Sequence, residues 1–252
     1  MYRWCVCNKL TINSDKTNFI LFHTVNKPVP NNLTEIITTE MTIQRVNEIK
    51  YLGLVLDEKL NWNEHVQSIC NSLLKYFGIF NHIKNKVNRK TARQLYFAFV
   101  FSRIKYGIEI YGNCSDGNKN KLQTMQNKLL KLLLQLERLT PTKKLHKDLN
   151  VLKINDLYKC NVLSFVNDTL MRKCPEIFET YFQLKYSRYD FRQKGQLKMP
   201  PARLNLGDRA VRTHGVKLWN GMETSIQQYR FTTSLKSQLM KWYISIYETD
   251  YT

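Results

Sequence analysis

The feature of this sequence that most constrains its fold is a repeat of apolar residues that begins near residue 62. Apolar side chains recur there at steps of three and four, which places them on one face of an α-helix. Asn61 precedes the repeat and Glu64 follows three residues later, a spacing typical of a capping box at a helix start. The pattern predicts one long amphipathic helix, with an apolar face made of Trp62, Val66, Ile69, Leu73, Phe77, Phe80, Ile83 and Val87.

Two further helices are predicted before residue 141. Thr91 opens the second, which ends near Gly107 and has Leu95, Tyr96, Phe99 and Tyr106 on its apolar side. Asp116 introduces the third, which continues towards Pro141. The third helix has its apolar residues in the same three-four rhythm, namely Leu122, Met125, Leu129, Leu132, Leu136 and Leu139. Three amphipathic helices with short links predict a helical bundle over residues 61–140.

The first sixty residues predict a small sheet. Residues 1–12 have the character of the last turns of a helix, which indicates that the chain begins inside an element. Residues 19–22 form a candidate strand, and residues 34–46, rich in Thr and Ile, form another. Residues 50–56 alternate well enough to pair with 34–46. We therefore expect an antiparallel sheet of about three strands.

Beyond Pro141 the pattern is mainly helical. Helices are predicted over residues 145–152, 154–171, 209–221 and 233–246, and loops at Pro175, residues 185–194 and Pro200-Pro201. The predicted fold class is α+β, mostly α: a small sheet, a helical bundle and a small C-terminal helical unit. The predicted domains are residues 1–60, 61–140 and 141–252.

The chain carries 39 basic and 20 acidic residues, a net charge of +19. Residues 1–60 contribute +1, residues 61–150 contribute +11 and residues 151–252 contribute +7. The excess is spread among apolar and aromatic positions, which suits a helical surface that follows a phosphate backbone better than a disordered basic arm. A role in solubility alone is the alternative.

Two segments of the N-terminal region carry a resemblance to a known family. They are residues 8–22, NKLTINSDKTNFILF, and residues 48–62, EIKYLGLVLDEKLNW. This pair resembles the end of the palm and the start of the thumb in reverse transcriptases of LINE-type, non-LTR, jockey-like retrotransposons. The resemblance implies a palm edge with a primer-grip hairpin in residues 1–60, a thumb-like bundle in residues 61–140 and a basic helical tail.

The carboxylates that polymerase chemistry needs are missing from the sequence. In the resembled family the catalytic aspartates precede the first segment, and this chain contains no Asp-Asp pair. Polymerases use carboxylates to hold two metal ions around the reacting oxygens. Asp57 and Glu58 lie in a predicted turn and are interpreted as solvated turn acids. We therefore predict a truncated fragment that is not an enzyme and has no catalytic residue.

Three candidate binding residues follow from the resemblance. Lys16 matches a lysine that lies near the phosphates of the incoming nucleotide in many reverse transcriptases; the favoured alternative is a solvated lysine after a turn. Tyr51 and Gly53 match the hairpin that grips the primer. Glycine lets a nucleic-acid backbone approach closely, and an aromatic ring can pack on a sugar or base. The alternative is a well-packed strand with Gly53 at a bulge.

The densest basic group lies near the junction of the first two predicted helices of the bundle. Its members are Lys75, Lys84, Lys86, Arg89, Lys90 and Arg93. Six phosphate contacts on a duplex predict a log-log salt slope of about −5. Tyr76 and Tyr96 interleave with these charges, which favours binding of RNA or an RNA/DNA duplex without sequence preference. The alternative is a solvated helix face.

Other kinds of site find little support in the sequence. The cysteines lack paired C-x-x-C spacing, and the histidines are scattered without metal spacing, so no metal and no cofactor is predicted. The histidines are interpreted as surface or packed residues. No signal peptide and no long apolar run is present, which predicts a nuclear or cytoplasmic protein that is neither secreted nor bound to a membrane.

Two alternative functions remain open. The leucines of residues 122–139 are spaced as in a helix that docks a partner helix, which would make the chain a basic protein-interaction module. A decayed open reading frame without a selected function is the other.

Residues 215–220, GVKLWN, resemble a Gly-Pro-x-Leu-Trp-Asn segment that follows the thumb in the same family. Leu218 and Trp219 are interpreted there as core residues of a C-terminal helical unit.

Overall fold

A computed structural model of the chain describes residues 2–13, 16–24, 33–37, 41–137, 139–185, 195–202 and 205–247. The fold is α+β and mostly α, as predicted, with short strands confined to the first sixty residues and helices dominating the rest. The chain divides into two compact units, residues 1–68 and residues 69–252. The finer division into three domains remains a prediction.

The first unit contains a short helix and two small sheets. Helix α1 (Tyr2–Cys7) is followed by strands β1 (Asn18–Phe19), β2 (Glu35–Ile37) and β3 (Thr42–Arg45). β3 lies between the other two, parallel to β1 and antiparallel to β2. Strands β4 (Glu48–Tyr51) and β5 (Leu54–Asp57) form a separate antiparallel hairpin.

The predicted pairing of residues 34–46 with 50–56 is wrong. Each of these two segments pairs locally instead. In the second, Tyr51 pairs with Leu54, so Leu52 and Gly53 form a two-residue loop, with φ of 46° and 82°. Positive φ at both loop positions is the type I′ geometry that matches the twist of adjacent strands and favours a tight hairpin. Local turn chemistry therefore decides the pairing.

Asp57, the last residue of β5, and Glu58 have bonding partners within the chain, so their interpretation as solvated turn acids is wrong. The Asp57 carboxylate accepts hydrogen bonds from the backbone N–H groups of Lys59, Asn61 and Trp62 at 2.9–3.0 Å. Glu58 is only 20% exposed and pairs with Arg45 at 3.0 Å and with His23 at 3.2 Å. Asp57 thus shapes the loop that leads into the next helix.

The long helix predicted from residue 61 is present as α2 (Asn63–Ile83). It begins after Trp62, which has a φ of 65° that lies outside the helical region. Val66, Ile69, Leu73 and Phe80 of the predicted face are buried, whereas Trp62, Phe77, Ile83 and Val87 are only half-buried. The buried residues of α2 are His65, Val66, Ile69, Cys70, Leu73, Tyr76 and Phe80.

The second predicted helix is a composite. Helix α3 (Arg89–Tyr96) is capped by Asn88, whose side chain accepts from the Thr91 N–H at 2.9 Å. The helix continues without a break through a π-helical segment (Phe97–Phe101) and α4 (Ser102–Lys105). Helix α5 (Ile108–Tyr111) then follows Gly107. The predicted face was wrong, because Phe99 and Tyr106 are exposed. The buried face is Ala92, Tyr96, Val100 and Ile104.

The third helix, α6 (Asp116–Leu133), is shorter than predicted. It ends at Leu133, and Leu139, predicted on its apolar face, is 90% exposed. Ser115 caps its start through the Asn118 N–H. The buried face is Asn118, Leu122, Gln126, Leu129, Leu130 and Leu133. Of the predicted seam, Leu122 and Leu129 are buried, Met125 and Leu132 are half-buried, and Leu136 and Leu139 are exposed. Docking of a partner helix on this seam remains a prediction.

The remaining helices surround one almost fully buried helix. They are α7 (Thr142–Leu149), α8 (Ile154–Leu170), a 3₁₀ turn (Glu176–Phe178), α9 (Asn205–Arg209), α10 (Val211–Asn220), α11 (Thr224–Gln227) and α12 (Leu235–Ile246). Helix α8 packs against α5, α6, α10 and α12. The four predicted helices of this region are present. The predicted loop at Pro200-Pro201 is present too, whereas most of the loop predicted at 185–194 lies outside the described residues.

Trp219 is a core residue of this region, as predicted from the GVKLWN segment, whereas Leu218 is only half-buried. The Trp219 indole N–H donates to the Gly195 carbonyl at 2.8 Å, and the Arg230 guanidinium lies 5.0 Å from the indole centroid.

One turn before Trp219, Gly215 allows close packing of α10 on α8. A Cβ placed there would lie 3.0 Å from Val166 Cγ2.

Candidate nucleic-acid interface

The candidate residues of the first unit are all exposed. Tyr51 is 62% exposed and Leu52 73%, and both lie at the tip of the β4–β5 hairpin with Gly53. The alternative of a well-packed strand with a bulge is therefore wrong, because Gly53 occupies the turn itself. Lys16 is exposed in a turn in which its backbone N–H donates to the Asn13 side chain at 3.1 Å. This matches a solvated lysine after a turn.

The candidate residues of the second unit surround the connection between α2 and α3. Lys75 is exposed on α2, and Lys84 and Lys86 follow its end. Lys90 is exposed on the first turn of α3. The Lys84 carbonyl accepts a hydrogen bond from the Gln135 side chain at 2.7 Å, which ties this connection to the segment after α6. Lys84 and Lys86 thus lie on an anchored connection, with Lys75 on the helix before it and Lys90 on the helix after it.

Arg89 and Arg93 have partners on α7 and its C-cap region. The Arg89 guanidinium lies 3.6 Å from the Asp148 carboxylate. Arg93 Nε donates to the Leu149 carbonyl at 2.8 Å, and its guanidinium lies 4.6 Å from the Phe97 ring centroid. Both arginines therefore join α3 to α7. Within the described residues the lysines of the group make no ion pair, and we call them the α2–α3 lysines: Lys75, Lys84, Lys86 and Lys90.

The two tyrosines predicted to interleave with these charges cannot stack on bases. Tyr76 is 6% exposed and Tyr96 1%. Tyr76 instead stacks on Phe80 with ring centroids 5.8 Å apart, and Tyr96 accepts a hydrogen bond from Gln126 at 2.7 Å. Both tyrosines lie on the core-facing side of their helices, and the neighbouring basic residues lie on the outer side. Their interleaving in the sequence therefore reflects the amphipathic character of the helices.

Sequence reasoning missed one cation beside Lys75. The Lys75 ammonium lies 5.2 Å from the centroid of the Tyr76 ring, and the Arg103 guanidinium lies 5.9 Å from it. Arg103 Nε also donates to the Tyr76 hydroxyl at 3.2 Å. The tyrosine therefore brings together two exposed cations from different helices. No sequence spacing signals this pair, because it depends on how α2 packs on α4.

A buried polar network lies beneath α3 and α7. Gln126 Nε2 donates to the Tyr96 hydroxyl at 2.7 Å and to the Leu152 carbonyl at 3.0 Å, and Gln126 Oε1 accepts from Gln123 at 2.8 Å. His146, fully buried, contacts Asn127 Oδ1 at 2.8 Å. Burial lowers the pKa of His146 to about 4. This network joins α3, α6 and the α7–α8 connection, so it holds the platform that carries the α2–α3 lysines.

The histidines are surface or packed residues, as predicted: His82 is exposed, and the others are buried or half-buried. His214 Nδ1 lies 2.8 Å from the Tyr158 hydroxyl, and His65 Nδ1 accepts from the Val55 N–H at 3.3 Å. Over the described ranges, no group of three or more His, Cys, Asp or Glu side chains is arranged to hold a metal ion. In the same ranges, no helix has the length and apolar character to cross a membrane.

Known proteins are similar to this chain over much of its length. It is 27% identical over 158 residues to the probable RNA-directed DNA polymerase from transposon X-element of Drosophila melanogaster, a match that covers 61% of this chain and 16% of the relative. The identity is 25% over 156 residues to the RNA-directed DNA polymerase from mobile element jockey of Drosophila funebris, covering 61% and 17%. Its curated homologues are jockey-like retrotransposon polymerases.

The resemblance seen in the sequence is thus confirmed. The polymerase from transposon BS of Drosophila melanogaster is also similar, with 26% identity over 152 residues. The chain spans about one sixth of the length of these jockey-like relatives. No protein-family model matches the chain, and no solved structure matches it.

Proposed function

We propose that this chain binds RNA or an RNA/DNA duplex without sequence preference and does not itself catalyse polymerisation. The observation that carries this proposal is the set of α2–α3 lysines around an anchored connection, in a chain with jockey-like polymerase homologues. Of these lysines, Lys75, Lys86 and Lys90 are exposed and Lys84 is half-buried. A net charge of +19 supplies the long-range attraction for a polyanion. In the first unit, the exposed Tyr51–Gly53 hairpin tip offers by itself a ring and a close backbone approach to a nucleic acid.

The side-chain geometry sharpens the expected salt dependence. Arg89 and Arg93 already have partners within the chain. The four α2–α3 lysines alone predict a log-log salt slope of about −3.6 on duplex, at about 0.9 per phosphate contact. A slope near −5 would mean that the arginines also leave their partners to contact phosphate.

The test compares two doubly substituted variants of equal charge. Lys86→Glu with Lys90→Glu alters the α2–α3 lysines, and Lys121→Glu with Lys241→Glu makes the same change at exposed lysines on α6 and α12. Fluorescence anisotropy with a labelled RNA/DNA duplex reports the affinity over a salt series. We expect the first variant to bind at least tenfold more weakly and to lose about 1.8 units of slope. Equal effects in both variants would contradict a local interface.

Absence of catalysis is proposed from the missing carboxylates of the sequence. Two-metal polymerase chemistry needs acidic ligands around the reacting oxygens. We expect no template-dependent synthesis by the isolated chain in a primer-extension assay with Mg²⁺, and any such synthesis would overturn this proposal. We further propose that residues 1–60, 61–140 and 141–252 are a palm edge, a thumb-like bundle and a basic helical tail of a nuclear or cytoplasmic protein.

A further inference from the structure

A groove of about 390 Å³ lies within the second unit, a volume in the range of roughly 300–1,000 Å³ that is typical of ligand sites. Its walls come from the start of α3, the end of α6 with the segment that follows it, and α7. The Gln135 side chain, which donates to the Lys84 carbonyl at 2.7 Å, and the Arg89–Asp148 pair at 3.6 Å hold these walls together. We call this feature the α6–α7 groove.

The walls of the α6–α7 groove are mainly aliphatic. Among the described lining residues none is aromatic, and six are aliphatic: Val87, Ala92, Leu133, Leu134, Leu136 and Leu145. Nucleic-acid bases stack on aromatic rings or on guanidinium planes, and the guanidinium that lines this groove, that of Arg89, is paired with Asp148. Grooves with apolar walls between helices accept the apolar face of an amphipathic helix. The lining therefore suits side chains of a protein better than bases.

Apolar surface is exposed along the segment that follows α6. Leu136 lines the groove and is 39% exposed, and Leu139, next to the lining residue Thr140, is 90% exposed. Contact with a partner would remove this apolar area from water, which is favourable. Leu136 and Leu139 are also the two exposed residues of the seam predicted from the sequence. The part of that seam outside the core of the chain thus lies at or beside the α6–α7 groove.

The charges next to the lining residues are mainly positive. Three exposed lysines adjoin lining residues in the chain, namely Lys86, Lys90 and Lys147, whereas Glu137 is an exposed carboxylate in such a position. Arg89 and Asp148 offset each other. A positive surround complements an acidic partner, and it disfavours a second copy of this chain, which carries a net charge of +19.

We propose that the α6–α7 groove binds an acidic amphipathic helix of a partner protein. Apolar side chains of that helix, three and four residues apart, enter the groove, and its flanking carboxylates face Lys86, Lys90 and Lys147. This inference goes beyond the proposed nucleic-acid function and does not depend on it. Because Lys86 and Lys90 are α2–α3 lysines, the partner helix and a nucleic acid compete for them.

The test uses the full chain and a fluorescein-labelled synthetic peptide of Glu, Ala and Leu with its leucines on one helical face. At about 18 residues the peptide is long enough to form a helix, and a scrambled peptide has the same composition with leucines on all faces. The groove variant is Leu134→Gln with Leu136→Gln. The matched control is Ile110→Gln with Ile177→Gln, at exposed positions outside the groove.

Neither variant changes the charge of the chain. We expect the groove variant to bind the amphipathic peptide about tenfold more weakly than the control does, because two apolar contacts are lost. Both variants should bind a blunt RNA/DNA duplex with equal affinity. A second comparison leaves the walls intact: Lys147→Glu should weaken peptide binding about threefold more than Lys241→Glu, at an exposed position on α12.

Equal affinities of the groove variant and the control for the amphipathic peptide would overturn the proposal. Equal affinities of the unmodified chain for the amphipathic and scrambled peptides would overturn it too, since charge alone would then explain the binding. A loss of duplex affinity as large as the loss of peptide affinity would instead assign the groove to a nucleic acid. Self-association of the unmodified chain in sedimentation, absent from the groove variant, would assign it to a second copy. If the unmodified chain fails to bind the duplex while the peptide results are as expected, the proposed nucleic-acid function fails and the α6–α7 groove stands.

Discussion

The replacement Gln126→Met tests the buried network that supports the α2–α3 lysines. Methionine keeps nearly the length and volume of glutamine, so the change removes hydrogen bonds and leaves packing nearly intact. The Gln126 side chain makes hydrogen bonds with Tyr96, Leu152 and Gln123. At about 1 kcal/mol for each bond, the free energy of unfolding should fall by about 3 kcal/mol.

The assay for this replacement is unfolding in urea and by heat, followed by circular dichroism. A loss of about 3 kcal/mol corresponds to a decrease in Tm of about 6 to 12 °C for a domain of this size. Gln94→Met is the matched control, because Gln94 is exposed on α3 and its replacement should cost no more than about 0.5 kcal/mol. The reasoning is refuted if Gln126→Met and Gln94→Met unfold at the same temperature.

A double-mutant cycle separates the bonds of Gln126. Tyr96→Phe removes only the hydroxyl that accepts from Gln126 Nε2. Because both changes break this one bond, the double variant should be less destabilised than the sum of the single variants, by about 1 kcal/mol. Strict additivity would show that Tyr96 and Gln126 do not interact in solution.

Three further predictions concern pH, packing and local stability. Burial lowers the pKa of His146 from 6.5 to about 4, so the unfolded state binds the proton more tightly. Stability should be constant with respect to this group above pH 6.5 and fall by up to about 3 kcal/mol as the pH decreases towards 4, and His146→Gln should flatten the measured dependence. Gly215→Ala should lower the free energy of unfolding by about 1 to 3 kcal/mol, since the added Cβ would lie 3.0 Å from Val166 Cγ2. The control is Gly78→Ala, whose added Cβ would meet nothing within 4 Å, and it should be neutral or stabilising in the same denaturation assay. Amide hydrogen exchange should be faster in residues 2–68, where the structure describes only Leu54, His65 and Val66 as buried, than in α8, and equal protection would contradict this.

The composite helix shows why the correct element was predicted with the wrong face. The apolar residues of the segment from Thr91 to Gly107 predicted Phe99 and Tyr106 as inward-facing, but the buried residues keep a step of four through Tyr96, Val100 and Ile104. The π-helical segment Phe97–Phe101 has wider turns than an α-helix, which keeps this step in phase. The residues of this segment carry no recognised sequence signal for a π-helix, so its position was not predicted.

In the candidate site, the sequence gives the positions of the lysines and arginines. It does not show which of these side chains bind other groups of the same chain. Arg93 binds a carbonyl 56 residues away, and Arg89 pairs with a carboxylate on α7. Likewise, the segments of Leu184 and Leu197 form an antiparallel bridge only after folding.

The sequence by itself determined the helical character of most of the chain and the similarity to jockey-like polymerases. These depend on periodicity and short motifs, which act between residues close in the chain. Only the tertiary structure decided which tyrosines are buried, which arginines have partners within the chain and that Gln126 is a core residue. Those properties depend on contacts between distant segments, and the free energy of such contacts leaves no local signal in the sequence.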